Sequence, residues 1–189
     1  MIKTENRIFL ILALLMALIV ALSNYLVQFP VEYMNLENFF TYGAFSYPIA
    51  FLITDLANRR YGKIKARKIV YLGFIIGVAF TYYFREIIPI RIAIGSGTAF
   101  LVAQLIDINV FDKFRNNLRW YLAPLASSLV GSTIDTFLFF SISFYGTGVP
   151  WVSLSFGDLA VKLFVALVML IPFRLLLNTF RQDYLYKNL

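Results

Sequence analysis

The sequence predicts an all-α, polytopic membrane protein with six transmembrane helices and both termini in the cytoplasm. Three observations predict it: the apolar content, the length of the apolar runs, and the sidedness of Lys and Arg. The 189 residues are 60% hydrophobic and 18% aromatic, with a mean hydropathy of +0.76. Soluble domains average about 45–50% apolar even when Gly is counted. The apolar residues come in runs of the length that crosses a ~30 Å hydrocarbon core, for which about 20 residues suffice.

The first span covers 8–27, interrupted only by Ser23 and Asn24. It lacks the short core and small-residue cleavage site of a signal peptide. FPVEYMNLENFF (29–40) holds Glu32 and Glu37 and no Lys or Arg, and its aromatics suit an interfacial belt or a short surface helix. The second span, 42–57, contains Gly43, Ser46, Pro48, Thr54 and Asp55, with a kink expected at Pro48. Such breaks are tolerated where the backbone faces protein or a cavity. NRRYGKIKARK (58–68) follows, with six basic residues and no acid, and then the third span, 69–84, and a short outer turn, REIIP (85–89).

Arg91 opens the fourth span, 91–111, whose run IGSGTA (94–99) offers small residues for close helix contact, within the chain or in a homodimer. The charged loop DKFRNNLR (112–119) leads through Trp120 and Tyr121 into the fifth span, 120–144. YGTGVPWVSLS (145–155) reads as an uncharged turn. The sixth span, 156–177, is broken at Pro172 and precedes the tail RQDYLYKNL (181–189). A single transmembrane domain, 1–189, takes in all of these.

With both ends inside, the cytoplasmic side receives Lys3, Arg7, the six bases of 58–68, Lys113, Arg115, Arg119, Arg174, Arg181 and Lys187, which is 14 of 17 basic residues. The outer loops hold Arg85 and Arg91, and Lys162 lies within the sixth span. This is the positive-inside pattern. It also accounts for the net charge of +7 without nucleic acid, since the basic cluster marks a membrane face. The chain has no Cys and no His, which removes thiol chemistry, an imidazole relay and an ordinary zinc site. No Walker motif, nucleophile–base pair or metal set appears, so neither an enzyme nor a cofactor is expected.

The informative residues are the polar ones inside the spans. LVAQLIDINVF (101–111) recurs as LVGSTIDTFLF (129–139), with five of eleven positions identical and one aspartate, Asp107 or Asp135, in each copy. An ionisable group exposed to lipid costs about 2.5–3.5 kcal/mol or more, so intramembrane acids are functional candidates. Gln104 lies one turn before Asp107, and Gly131 and Ser132 occupy the matching turn before Asp135. An interhelical hydrogen bond would also account for either acid. A carboxylate beside an amide suits a ligand with adjacent N–H donors and a carbonyl, such as the N1–H and exocyclic NH2 edge of a guanine-like base. Aromatics could stack on such a base, but composition singles out none of the 20 Phe and 12 Tyr. Lys162 follows Asp158 by four residues, on one helix face, as a structural ion pair or a substrate contact. Asp55 and Asn58 either line the site or anchor the basic loop through Arg59, Arg60 or Lys63. Counted along their helices, Asp107 and Asp135 sit towards opposite membrane faces, as a small inverted element would place them.

TYGAFSYPIAFLITDLANRRYGKIKARKIVY (41–71), FLVAQLIDINVFDKFR (100–115) and SSLVGSTIDTFLFF (127–140), in that order, resemble the queuosine precursor transporter family, formerly described as putative vitamin uptake transporters. The resemblance implies a six-helix importer in the bacterial inner membrane. Its substrates would be 7-cyano- and 7-aminomethyl-7-deazaguanine, salvaged for queuosine modification of tRNA, with the lipid bilayer as the other partner. The family's acid-x-x-Asn-x-x-Tyr-Gly motif falls on Asp55, Asn58, Tyr61 and Gly62. Its Gln-x-x-Asp falls on Gln104 and Asp107, and its Asp-Thr on Asp135 and Thr136. Two positions depart from the pattern: Arg59, where many members have Glu, and Ser132, where many have Gln. The alternative is a transporter or binding subunit for another small solute, such as a vitamin or nucleobase.

Overall fold

The computed structural model describes residues 2–33, 40–83, 89–178 and 180. They form five helices: α1 (Ile2–Leu26), α2 (Gly43–Tyr83), α3 (Ile90–Phe114), α4 (Leu122–Phe144) and α5 (Trp151–Leu176). Four are long and apolar enough to cross a membrane: α1 from Asn6 to Leu26, α3, α4 and α5. This corrects the expectation of six spanning helices. The expected second and third spans are two parts of one 41-residue element, α2. Asp55, Asn58 and the basic run occupy the middle of α2, which is not among the helices that reach the hydropathy of a span.

α2 consists of two helical stretches joined at Gly62, which leaves helical geometry with φ 77° and ψ 170°. That backbone region is open essentially only to glycine. The bend expected at Pro48 is therefore found at Gly62, while Pro48 is carried inside the helix. Arg59 and Arg115 clasp the break: Arg59 Nη1 donates to the Arg115 carbonyl at 2.7 Å, and Arg115 Nη2 to that of Arg59 at 3.3 Å. Lys63 and Arg115 both reach Asp112, at 3.3 and 3.1 Å. Of the basic run, Lys63 is thus held by Asp112, and Arg67 donates to Asn109 Oδ1 at 2.8 Å.

Beyond the break α2 returns along α1, with Met16, Ile69, Val70 and Phe100 in a shared core that also takes in Tyr47 and Ile108. The first part of α2 runs parallel to α3, and α3 runs antiparallel to α4. At the latter seam a Cβ on Gly95 would collide with Ser143, so the small residues expected for close contact are used inside the chain. At the far end of that seam Arg91 donates to the Ile142 carbonyl at 2.9 Å and to that of Tyr145, capping carbonyls that α4 itself leaves open. α5 starts at Trp151, directly after Pro150, and so takes up part of the expected 145–155 turn. Its outer face shows Phe164, Leu167, Ile171 and Leu175, and that of α1 shows Leu10, Leu14 and Leu18, the apolar stripes of lipid-facing helices.

Between α1 and α2 the two ends of the 29–40 segment pair: Tyr42 donates to the Phe29 carbonyl at 3.0 Å, and Val31 to that of Phe40 at 3.2 Å. Residues 34–39 of that segment, 85–88 of the outer turn with Arg85, and the 181–189 tail lie outside the described residues.

Substituting Gly62→Ala forces a Cβ into a glycine-only conformation. It should lower the stability of the detergent-solubilised protein by about 1–3 kcal/mol, read as a drop in the thermal midpoint; an unchanged midpoint would mean that the break is not constrained.

Candidate functional site

Among the described residues, four aspartates and one lysine are buried: Asp55, Asp107, Asp135, Asp158 and Lys162. They fall into two layers. In the first, Lys162 of α5 donates to Asp135 Oδ2 of α4 at 2.9 Å and to Thr136 Oγ1 at 3.1 Å, and stands 2.6 Å from Asp158 Oδ2. These three partners use the three N–H groups of the ammonium. Thr136 in turn donates to Asp158 at 2.9 Å. The Lys162 ammonium also lies 4.9 Å from the centre of the Tyr47 ring. The Tyr47 hydroxyl donates to Asn24 Oδ1 at 3.1 Å and lies 2.5 Å from the Ser96 hydroxyl, which itself donates to Asn24. One connected set of polar groups therefore ties all five helices together.

In the second layer, Asp55 of α2 and Asp107 of α3 are neighbours. The Ser127 hydroxyl of α4 donates to Asp55 Oδ1 at 3.0 Å. The Pro124 carbonyl lies 3.2 Å from the same hydroxyl, which has one proton to give. Both carboxylate oxygens of Asp107 are left buried without a hydrogen-bond partner, as are Asn58 Oδ1 and Ser132 Oγ. Asn58 uses its amide N–H on the Ile108 carbonyl at 2.9 Å, and Gln104 accepts from Thr54 at 2.5 Å. Buried polar groups are otherwise satisfied almost everywhere in proteins. Thr41 Oγ1 and Ser143 Oγ are likewise buried without a partner, elsewhere in the fold.

From Ser127 to Asp135 on α4 is eight residues, as it is from Tyr47 to Asp55 on α2. At 1.5 Å per residue both put the layers about 12 Å apart. Asp55, Asn58, Gln104 and Asp107 are thus brought together, and Asp135 and Lys162 are held apart from them. Ser132 lies between. So does Phe51, 2% exposed, one turn from Tyr47 and one turn from Asp55. Its ring rests on the bare backbone of Gly131, where a Cβ would come within 2.6 Å of Phe51 Cε1.

Sequence reasoning paired Lys162 with Asp158 and missed its second carboxylate, Asp135. The signal was available: Lys162 lies well inside a span, and two acids lie on facing helices. It also missed Tyr47, Phe51 and Ser127, which look like ordinary apolar or small helix residues. Asn109 faces outward and accepts from Arg67 at 2.8 Å. No cluster of three or more metal-ligating side chains occurs among the described residues. A cavity of about 340 Å³ lies elsewhere, between α1, α2 and α3, and meets the polar set only at Asn24.

Residues 41–177 match the family described as "Putative vitamin uptake transporter". The chain is 34% identical to a "Probable queuosine precursor transporter" of Haemophilus influenzae, over 90% of this chain and 86% of that protein. It is 33% identical to the "Queuosine precursor transporter" of Escherichia coli, over 88% and 85%. A "Probable queuosine precursor transporter" of Bacillus subtilis is 27% identical over 69% and 68%. No solved structure matches.

The two layers should answer differently to mutation. Lys162→Met strands two buried carboxylates and should cost about 3–5 kcal/mol. Asp107→Asn removes a charge that no side chain balances, and should leave stability unchanged or raise it. Thermal unfolding of both variants in detergent checks the contrast; equal losses would merge the layers into one structural network.

Proposed function

We propose that the chain imports queuosine precursors, 7-cyano- and 7-aminomethyl-7-deazaguanine, on a plain premise: it belongs to the putative vitamin uptake transporter family. It is a multi-pass transporter of the bacterial inner membrane and not an enzyme. The site of that transport is the second layer. The observation that carries it is Asp107: fully buried, with both carboxylate oxygens unpartnered beside the unpartnered Asn58 Oδ1 and Ser132 Oγ.

A deazaguanine presents the complement of that set. Its N1–H and exocyclic NH2 lie side by side and meet the two oxygens of one carboxylate, a bidentate, charge-assisted pair. Asn58 and Ser132 supply further hydrogen bonds within reach of the same layer. Phe51 is the aromatic best placed to stack on the bicycle, since it adjoins Asp55 along α2 and Ser132 across Gly131. Base–aromatic stacking is worth about 1–3 kcal/mol per base. Gln104 orients α3 against Thr54 of α2 at the turn before Asp107. Asp135 and Lys162 hold α4 to α5 and are positioning groups for the site rather than ligands of the base.

Asp107→Asn keeps the size of the side chain but turns an N–H donor towards the N–H edge of the base. In cells that depend on supplied precursor, this variant should abolish queuosine in tRNA while the protein still reaches the membrane. Wild-type levels of modification would remove Asp107 from the site.

A further inference from the structure

We propose that the basic cavity where α2, α3, α4 and α5 meet seats the phosphate of an anionic phospholipid headgroup. Nothing in this depends on which solute the chain carries.

The cavity holds about 100 Å³, several times the ~10–15 Å³ that one water needs. Three arginines line it, Arg59 of α2 with Arg115 and Arg119 of the loop after α3, and no acid does so among the described residues. Its floor is apolar, the edge-on contact of Phe111 and Phe173. The Arg115 side chain is only 12% exposed, and its carboxylate partner, Asp112, is shared with Lys63. Arg119 is exposed, and its guanidinium has no hydrogen bond or ion pair among the described residues. Only its backbone N–H is engaged, by Asn117 Oδ1 at 3.0 Å.

A helix end adds to this excess of positive charge. α4 begins at the cavity, with Ala123 in the wall, and has neither a capping side chain nor an acid in its first turn. Such an N-terminus carries about half a positive charge and open N–H donors. The carbonyls at the end of α3 are already engaged: Arg59 takes that of Arg115, and the Asn117 N–H takes that of Phe114. Guanidinium groups and an uncapped helix start that converge on one space repel one another unless an anion lies between them. Phosphate oxygens match the planar guanidinium fork in pairs.

The position of the cavity points to the source of the phosphate. Arg59, Lys63, Lys113, Arg115 and Arg119 share this end of the bundle with Arg174, which lies 5.0 Å from the centre of the Trp120 ring. Arg91 stands at the other end of the α3–α4 seam, beside Tyr145. A concentration of Lys and Arg marks the cytoplasmic face, whose leaflet is the anionic one. Trp120 is in the cavity wall, and Leu118 of the same loop is fully exposed. Both suit the headgroup level of a bilayer. A free phosphate ester would meet the same arginines and make no use of either. Arg59 and Arg115 also clasp the break at Gly62, so a seated headgroup ties the α3–α4 loop to the bend of α2.

The test is binding of phosphatidylglycerol and of phosphatidylcholine to the full chain purified in a neutral detergent, read as lipid retained in native mass spectrometry. Phosphatidylglycerol should bind at least about tenfold more tightly, the scale of one charge-assisted pair. Arg119→Gln should remove that preference; its side chain holds nothing in the fold, so the variant should keep the thermal midpoint of the lipid-free protein. Lys113→Gln, an exposed base at the same end but outside the cavity, should leave the preference intact. Equal losses in the two variants would mean a diffuse attraction of the basic face and would overturn the site. Equal retention of the two lipids by the unmodified protein would overturn it without any variant. Displacement of phosphatidylglycerol by inorganic phosphate at matched ionic strength would keep the phosphate site and overturn the lipid as its source.

Discussion

A carboxylate inside a membrane protein needs something to answer its charge, and the interior of this chain is arranged around where that answer is supplied. Lys162 answers two acids, Asp135 and Asp158, at 2.9 and 2.6 Å. Breaking one partner out of such a buried set is costly because it leaves an uncompensated charge, which makes the set rigid. The same lysine lies against Tyr47, whose hydroxyl is held by Asn24 and Ser96, so the rigidity reaches α1, α2 and α3. What remains unanswered stands out against this background. Asp107 and its neighbours were not left to packing; they are set at a fixed distance from a layer that cannot move independently.

This sorts the acids by partner rather than by pattern. Asp107 and Asp135 occupy equivalent places in a repeated sequence, yet one is saturated and the other is not. The repeat reflects two helices built alike. The difference arises from what faces each one: α5 brings a lysine to Asp135, while α2 brings a second aspartate to Asp107. A buried cluster that costs stability is a usual mark of a site built for something outside the chain.

Much of this was legible in the sequence, because helical periodicity and embedded acids leave strong local signals. The apolar runs, the acids at 55, 107 and 135, and the staggered depth of Asp107 and Asp135 can all be read along one dimension. The number of spanning helices could not, since α2 is apolar at both ends and charged in the middle, where it breaks at Gly62. Nor could the partner of Asp135, which depends on the rotation of α5 about its axis. Phe51 was invisible among 20 phenylalanines until its ring was seen lying on Gly131. Ser127, whose hydroxyl reaches Asp55, leaves no sequence signal at all.

The parallel pairing of α2 with α3 has a consequence for how such a chain can change over generations. Thr54 meets Gln104, and Asn58 meets Ile108, both at an offset of 50 residues. The two helices present their polar groups in step, turn for turn. One residue inserted or deleted within either helix would rotate everything beyond it by about 100°, carrying Asp55 or Asp107 out of the interior. Side chains in these stretches can be exchanged singly, and each exchange is a local event. Their lengths cannot drift one residue at a time. Between Tyr47 and Asn58, and between Ser96 and Ile108, the spacing of the chain is therefore held more tightly than most of the letters that fill it.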